Sequence, residues 1–428
     1  MMKKTLKFIP VLFLVVACST TPEEDPIPDV DIDDVVNVTP PDTMQIPLEP
    51  IPFDRIPCEN GLAGSYPCNG YDLLSHLPVN TFSARTLNDN WGWTDPETGK
   101  EYVLQGLNNG VAFIDISDPG SPIYLGNLPT QTDQSTWRDV KVYNNHAFIV
   151  SEAFGHGLQV FDLTRLRNLT YRQTFTADAT LQTFGNAHNI AINEASGFAY
   201  VIGSQEYSGG PYFIDIQNPT QPRPVGGYAA SSYSHDAHII TYNGPDTEHV
   251  GKEILLGSNS DGGSNNQLVI VDVTDKEAPR LLSRAEYSNG GYTHQTWMDP
   301  AHHFAYLGDE LDESNFGHRT KTLVFDLSDL DQPVLHHTYL GPSAAIDHNG
   351  YVKGDAYYLS NYSAGFREIN VQDIANENMT EDRFFDTFPN NNATNFDGVW
   401  NIYPFFESGV IAISDIDGGL FLVKRSEE

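Results

Sequence analysis

Short apolar runs that end in Asp or a polar replacement recur along nearly the whole chain. The clearest copy is residues 268–272, which read Leu-Val-Ile-Val-Asp and lead into a polar turn. The equivalent end residues are Asp115, Asp162, Asp215, Asp272, Asp326, Asn370 and Lys424. Their separations of 44 to 57 residues predict seven repeated units, each of the length of a propeller blade.

Four strands can be placed within one unit. In the third unit they are residues 189–192, 198–202, 212–216 and 224–228, which are rich in Val, Ile, Phe and Tyr and are separated by turn-forming residues. Helix signals are nearly absent. The sequence therefore predicts an all-β fold, a seven-bladed β-propeller of four-stranded antiparallel blades. The alternative is a pair of β-sandwiches, which would not need a fixed period.

The last unit supplies only three strands, residues 399–402, 410–414 and 420–424. Residues 71–79 resemble the outer strand at 122–129. We expect this N-terminal segment to pair with the third strand of the last blade. It would close the ring and cover an edge that could otherwise promote aggregation.

The composition limits the partners. The chain has 428 residues and a formal net charge of -34. This charge argues against a nucleic-acid partner, because phosphate backbones are neutralised by Lys and Arg.

The predicted regions are a signal peptide at 1–17, a tether at 18–57 and the propeller at 58–428.

The first residues have the pattern of an export signal. Three lysines precede the apolar residues 8–16, and Ala17 and Cys18 follow. This ending resembles a bacterial lipobox, which predicts lipidation of Cys18 and a membrane anchor; the alternative is an ordinary signal peptide with an incidental Cys. The acidic, Pro-rich tether predicts disorder. Its acidic run resembles the surface-export signals of Bacteroidota lipoproteins, so we expect a lipid anchor in the outer membrane and a cell-surface location.

Cys58 and Cys68 enclose a short Gly- and Pro-containing loop. In an exported protein such a pair is most simply a disulfide. A zinc site would need further ligands nearby, and the sequence shows none. The loop precedes the predicted closing strand, so the disulfide is expected to brace the closure.

The repeat resembles the LVIVD repeat, which takes its name from the run at residues 268–272. From Cys58 to the C-terminus the chain resembles the choice-of-anchor B family of bacterial exported proteins. The resemblance implies a propeller at the cell surface whose members carry different anchors. It implies no established activity and no catalytic residue.

A second pattern is in phase with the blades. Just before the first strand of successive units stand Asp89-Asn90, Arg138-Asp139, His188-Asn189, His235-Asp236, His294-Gln295, His348-Asn349 and Phe396-Asp397. The first strand of a blade is the innermost, so these residues are expected at one mouth of the central channel. Four histidines, His188, His235, His294 and His348, would converge there, with His238 as the alternative to His235.

The second strand of each blade runs back toward the same mouth. It would bring there Glu152, Ser204, Ser258, Asp309, Asn361 and Asp415. One interpretation is structural, with each His or Arg bonded to a neighbouring blade. In another, the four histidines bind a transition metal such as Fe, Zn or Cu, oriented by Asp139, Glu152 or Asp309. Such a set resembles, in architecture alone, the four-His iron site of carotenoid oxygenases.

Aromatic residues suggest a third interpretation. Trp137, Tyr233, Tyr292 and Phe396 lie within two residues of the mouth positions, and Trp91 and Trp93 flank the first. Rings beside carboxylates suit stacking on sugars, although they could instead fill gaps between blades. Residues 415–419 and 259–263 could each hold Ca²⁺, but tight turns explain them better.

Two functions follow from these patterns. The first is a lipid-tethered surface protein that binds a glycan, a peptide or a partner protein at one mouth of the channel. The alternative is a metal-dependent enzyme, an oxygenase or a hydrolase, that uses the four histidines. The sequence leaves open whether the protein is an enzyme.

Overall fold

Seven antiparallel sheets surround a central axis in a computed structural model that describes residues 45–260 and 265–427. We number them blades I to VII in chain order and letter their strands A to D from the axis outward. Strand A of each of blades I to V contacts strand A of the next, and strand A of blade VII contacts that of blade I. The fold is therefore the predicted seven-bladed propeller of four-stranded blades.

The strands of the first four blades cover most of the first half of the chain. Blade I has Leu87–Thr94, Glu101–Leu107, Gly110–Asp115 and Ile123–Pro129; blade II has Arg138–Tyr143, His146–Ser151, Leu158–Asp162 and Ala179–Leu181; blade III has Asn189–Asn193, Phe198–Ile202, Tyr212–Asp215 and Arg223–Gly227; blade IV has Ser234–Thr241, Glu253–Asn259, Gln267–Asp272 and Arg280–Glu286. A short strand, Gln173–Thr174, adds to the outer edge of blade I.

The remaining blades include strands from the N-terminal segment. Blade V has Thr293–Met298, Phe304–Asp309, Lys321–Asp326 and Val334–Leu340; blade VI has Gly350–Lys353, Ala356–Ser360, Phe366–Asn370 and Thr380–Phe385, extended outward by Tyr66–Asn69 and Leu62–Ala63; blade VII has Val399–Tyr403, Val410–Asp415, Gly419–Arg425 and Tyr71–Leu77. The short helices are Val79–Phe82, Leu163–Leu166, Glu206–Gly209, Asp312–Phe316 and Ile374–Asn376. In this described part of the chain, no helix has the length and apolar character needed to cross a bilayer.

The repeated Asp at the end of strand C has a structural role. The side chain of Asp115 accepts a hydrogen bond from the backbone N–H two residues later, at 3.0 Å. The equivalent bonds at Asp162, Asp215, Asp272, Asp326 and Asn370 measure 2.8 to 3.1 Å. This contact is an Asx-turn, which ends the strand and starts the reversal toward strand D. The sequence repeat therefore marks the same turn in six blades.

Apolar side chains fill every gap between neighbouring blades. Seven clusters of buried residues are formed, one for each pair of adjacent blades. Between blades I and II, for example, the rings of Phe113 and Phe161 stack at 4.7 Å. Between blades VII and I, Leu420 and Leu422 pack with Val103 and Ile114. The last gap is thus filled in the same way as the others.

The N-terminal segment completes blade VII. Tyr71–Leu77 pairs antiparallel with Gly419–Arg425. His76 stacks on Phe421 at 4.0 Å. The Cys58–Cys68 disulfide lies beside this junction, where the backbone N–H of Cys58 donates to Asp72 at 2.8 Å.

The predicted boundary of the tether needs a correction. Residues 18–57 were expected to be a disordered tether, but the N–H groups of Leu48, Ile51, Phe53 and Ile56 donate to backbone carbonyls of blades I and VII and of the connection between strands C and D of blade II. The four side chains are apolar and pack against three of the clusters between blades. This burial explains why the segment is bound along the outside of the propeller. The predicted signal peptide and Cys18 lie outside the described residues.

We predict that Cys58→Ser combined with Cys68→Ser lowers the free energy of unfolding by about 2–3 kcal/mol, because the disulfide restricts the unfolded chain around the closing strand. Urea denaturation of the variant and of the parent protein measures this. A reductant should produce the same loss in the parent and none in the variant. Equal midpoints without reductant would contradict the prediction.

Candidate functional site

Four histidines from four consecutive blades meet at one mouth of the channel. The ring centroids of His188 and His235 are 4.2 Å apart, those of His235 and His294 are 4.2 Å apart, and those of His294 and His348 are 4.1 Å apart. We call these residues the four-histidine set. They form a continuous arc across blades III to VI, as the spacing in the sequence predicted.

β-Bulges help to aim these side chains. The pairing of strands A and B shifts by one residue at His235 in blade IV and at His294 in blade V. The same shift in blade VII falls on Trp400. A bulge leaves one residue out of the ladder and turns its side chain away from the regular alternation. It thereby places the imidazole or indole at the start of the innermost strand.

Backbone carbonyls fix the tautomers of two members of the set. Nδ1 of His235 donates to the carbonyl oxygen of His294 at 2.9 Å, and Nδ1 of His348 donates to that of Trp400 at 2.5 Å. Because a carbonyl can only accept, Nε2 of each neutral ring carries the lone pair. His188 Nδ1 lies 2.6 Å from the Glu152 carboxylate. His294 Nδ1 has no hydrogen-bond partner.

Burial keeps His235, His294 and His348 uncharged. It lowers the pKa of His348 to about 3, and burial together with neighbouring imidazoles holds the pKa values of His235 and His294 well below the ordinary value. A neutral imidazole can accept a hydrogen bond or bind a metal. These three histidines therefore present nitrogen lone pairs at neutral pH.

Glu310 completes the group. Its carboxylate oxygens lie 3.8 Å from His294 Nε2 and 3.7 Å from His348 Nε2. Tyr362 donates to the same carboxylate at 2.8 Å. Burial raises the pKa of Glu310 to about 7. One oxygen and two nitrogens, all within 4.8 Å of one another, form a candidate ligand set for a transition metal. Two bonds of about 2.1 Å to one ion span at most about 4.2 Å, so small side-chain movements would bring the three atoms to bonding distance.

Glu310 was missed at the sequence level by one position. Asp309 was predicted as the mouth carboxylate of blade V, but it accepts hydrogen bonds from Tyr287, Gly291 and Tyr292 and is a structural residue of the loop. Glu152 directly follows strand B of blade II, and Glu310 follows strand B of blade V in the same way. The equivalent positions of Glu152 and Glu310 in their blades could therefore have identified Glu310 from the sequence.

Other predicted mouth residues lie elsewhere. The Arg138 guanidinium is buried between blades and donates to Leu107 O at 3.1 Å and to Thr130 Oγ1 at 2.8 Å. Its third contact is His156, at 2.9 Å. Asp415 accepts from Thr387 at 2.6 Å and from the turn at Gly418.

The predicted mouth residues of blade VII need a correction. Phe396 and Asp397 were predicted as the mouth pair, but Trp400 fills the position equivalent to the histidines and Asn401 follows it. Phe396 is half-exposed and contacts Tyr362. Asp397 accepts from Asn395. The long loop before strand A of blade VII obscured the alignment.

His235, and not His238, belongs to the four-histidine set. His238 lies three residues further along the same strand, stacks on Trp297 at 3.9 Å and accepts from the N–H of Met298 at 3.1 Å. It lines a cavity at the opposite end of the channel. Trp91 lines that cavity too, while Trp93 is buried against Tyr102.

A layer of polar side chains lies directly beneath the set. Its members, which we call the polar layer, are Asp89, Asp139, Asn189, Asp236, Gln295, Asn349 and Asn401. Asn401 donates to Asp89, and Asn349 donates to Asn401 at 3.1 Å. Asp139 accepts from the N–H of Ile190 at 2.9 Å. These bonds tie together neighbouring blades.

The mouth itself is rimmed with aromatic rings. Two adjoining cavities of about 320 Å³ and 270 Å³ open above the set. The first is bordered by Trp137, Phe396 and Trp400, and the second by Tyr233 and Tyr292. Trp137 is 46% exposed. Nitrogen ligands, a carboxylate and exposed rings thus share one opening.

Comparison with known families gives one result. The family model of the LVIVD repeat matches residues 102–130 and 262–286. Two segments of this chain therefore match the LVIVD repeat. The first spans strands B to D of blade I, and the second includes strands C and D of blade IV. No curated protein matches the chain. The match supports the resemblance to this repeat family.

We predict that the pair formed by Arg138 and His156 makes stability depend on pH. Burial, reinforced by the Arg138 charge, lowers the pKa of His156 to about 4, so the unfolded chain takes up a proton first as the pH falls below about 6.5. The contribution of His156 is therefore fully present above pH 6.5 and is lost toward pH 4.

Urea denaturation of the parent protein and of His156→Gln over this pH range tests the prediction. Relative to the variant, the parent should lose about 3 kcal/mol between pH 7 and 4. The difference should stay constant above pH 7. A difference that does not change with pH would contradict the assignment.

Proposed function

We propose that this protein is an exported surface propeller that binds a first-row transition metal at the histidine mouth and, beside it, an external ligand. The observation that carries the proposal is the convergence of Glu310 with His294 and His348, whose ligand atoms lie within 4.8 Å of one another. His188 and His235 extend the same arc. Neutral imidazoles with fixed tautomers are the form that binds metals.

The donor set favours a transition metal over Ca²⁺. Imidazole nitrogens suit Zn, Cu and Fe, whereas Ca²⁺ prefers six or more oxygen ligands. Hydrogen bonds to the second ring nitrogen orient His235 and His348, and such bonds typically raise metal affinity. A set of two histidines and one carboxylate leaves coordination positions open, as in sites that bind iron or zinc.

The external ligand is expected to contact the aromatic rim. The cavities above the four-histidine set accept a sugar ring or a peptide side chain by size, and exposed rings such as Trp137 favour stacking. Asp139 and Asp236 lie beneath the set and have other partners: Asp139 accepts from Lys141 and from the N–H of Ile190, and Asp236 accepts from Gln295. We therefore assign ligand contact to the rim and metal binding to the four-histidine set with Glu310.

A metal-dependent enzyme is the second candidate. The specific observation in its favour is that three protein ligands leave room for a bound water or substrate. When bound, iron would supply oxygenase chemistry and zinc would supply hydrolase chemistry. The buried Tyr362, which donates to Glu310, would hold the carboxylate in place in either case.

The location completes the proposal. The N-terminal residues have the features of a lipoprotein signal with Cys18 as the lipidated residue, and the acidic run after it supports display at the surface of the outer membrane. The resemblance to the choice-of-anchor B proteins, which are exported, also supports a surface location. The membrane is then a partner through lipid, and a glycan, a peptide or a protein is the partner at the mouth.

Metal analysis tests the central claim. After chelation and reconstitution separately with Fe(II), Zn²⁺ and Cu²⁺, the purified protein should retain about one ion per chain for at least one metal. His294→Ala and His348→Ala should each lose it, and Glu310→Gln should bind about tenfold more weakly or worse. Plasma mass spectrometry measures the content, and circular dichroism checks the fold.

His238→Ala is the matched control, since it removes a partly buried histidine from the same strand as His235 but at the other end of the channel. It should keep the ion. A folded parent protein that retains none of the three metals, or equal retention in all variants, would refute the metal site.

The anchor is tested separately. We predict that Cys18→Ser abolishes incorporation of an alkyne-labelled fatty acid and releases the protein from the membrane fraction. The double variant Cys58→Ser with Cys68→Ser should remain labelled. Protease treatment of intact cells should degrade the parent protein. Labelling that persists in Cys18→Ser would show that another residue is modified.

A further inference from the structure

The channel ends, on the side away from the four-histidine set, in a cavity of about 450 Å³. Along strand A of blade IV, His235 lies at the histidine mouth, Asp236 follows, and residues 237–241 line this cavity. None of the four histidines of the set contributes to its lining. Its volume is typical of a site for a small organic molecule.

One wall of this cavity is aromatic. Trp91, Trp297, Tyr403 and Phe405 line it, and we call it the aromatic cavity. Trp91 lies 5.1 Å from Tyr403, and Tyr403 lies 5.5 Å from Phe405, measured between ring centroids. The four rings are only partly buried. Aromatic faces attract cations and also pack against apolar groups.

The charges around the cavity are mainly negative. Asp236 and Glu194 line it, and Asp139 lies just behind in the polar layer. Lys141 is the single lysine or arginine in the lining, and its ammonium group is already engaged. It lies 2.5 Å from Asp139 and 4.6 Å from the Trp91 ring centroid. This contact shows that the aromatic wall accommodates a cation.

Within the described residues Asp236 forms no direct ion pair, although the Lys141 ammonium group acts on it at longer range. Its carboxylate accepts the N–H of Ala237 at 2.6 Å and a hydrogen bond from the Gln295 side chain. Throughout residues 45–260 and 265–427, no lysine or arginine nitrogen lies within 4.0 Å of it. It is only partly buried and faces the aromatic cavity. An incoming ammonium group could pair with it and offset part of the desolvation that burial imposes on this carboxylate.

We propose that the aromatic cavity binds a small organic cation, an amine or a quaternary ammonium compound with an apolar body. The ammonium group pairs with Asp236, and the body packs against Trp297, Tyr403 and Phe405. An anion of the same shape is disfavoured by the surrounding carboxylates. The site is independent of metal binding at the histidine mouth.

Three probes of one shape test the proposal: 2-phenylethylamine, 2-phenylethanol and 3-phenylpropionate. Isothermal titration calorimetry and tryptophan fluorescence measure their affinities, because Trp91 and Trp297 lie in the wall. The amine should bind about tenfold tighter than the alcohol, and the propionate should bind most weakly. Asp236→Asn should remove the preference for the amine and leave the affinity for the alcohol unchanged.

Two further variants keep the test decisive. Phe405→Ala, at a partly exposed position, should weaken the amine and the alcohol by the same factor, even if Asp236→Asn does not fold. Glu407→Gln, an exposed carboxylate outside the lining, should change neither. Amine binding must also survive chelation of metals.

Several outcomes would overturn the proposal. They are the absence of saturable amine binding, equal affinities for the amine and the alcohol, tighter binding of the propionate, a preference that persists in Asp236→Asn, or amine binding that chelators abolish.

Discussion

The structure depends on one constraint: every blade has two apolar faces, and both must be covered. A linear stack would leave one face bare at each end, and a face of that size in water is unfavourable. Closing the circle covers the last faces, as Leu420 and Val103 do between blades VII and I. The central channel exists because of this closure. The same closure brings together four histidines that lie up to 160 positions apart in the chain.

Much of the fold could be predicted because its period has a physical cause. The Asp or Asn at the end of strand C forms an Asx-turn in six blades, so the same residue type must recur at the same point of each unit. The histidines also could be predicted, because the spacing between them matches the spacing between blades. His188 and His348 lie at the mouth for that reason.

The remaining features of the site could not be predicted from the spacing of residues in the sequence. The β-bulges at His235, His294 and Trp400 add a residue without any compositional mark. In blade VII the long loop before strand A also concealed the register, and Phe396 was chosen in place of Trp400. Glu310 and Asp309 are adjacent carboxylates, and the loop hydrogen bonds that engage Asp309 depend on tertiary structure. Residues 48–56 were predicted to be disordered because their apolar residues lie in a Pro-rich, acidic segment.

The hydrogen-bonded polar layer lies between the two ends of the channel. Its amide and carboxyl groups join neighbouring blades there, from blade VI to blade VII and from blade VII to blade I. The cavities at the two ends have no lining residue in common, so molecules held in them would not compete for the same space. Each end can change its residues and its chemistry while the other, and the scaffold between them, stays the same.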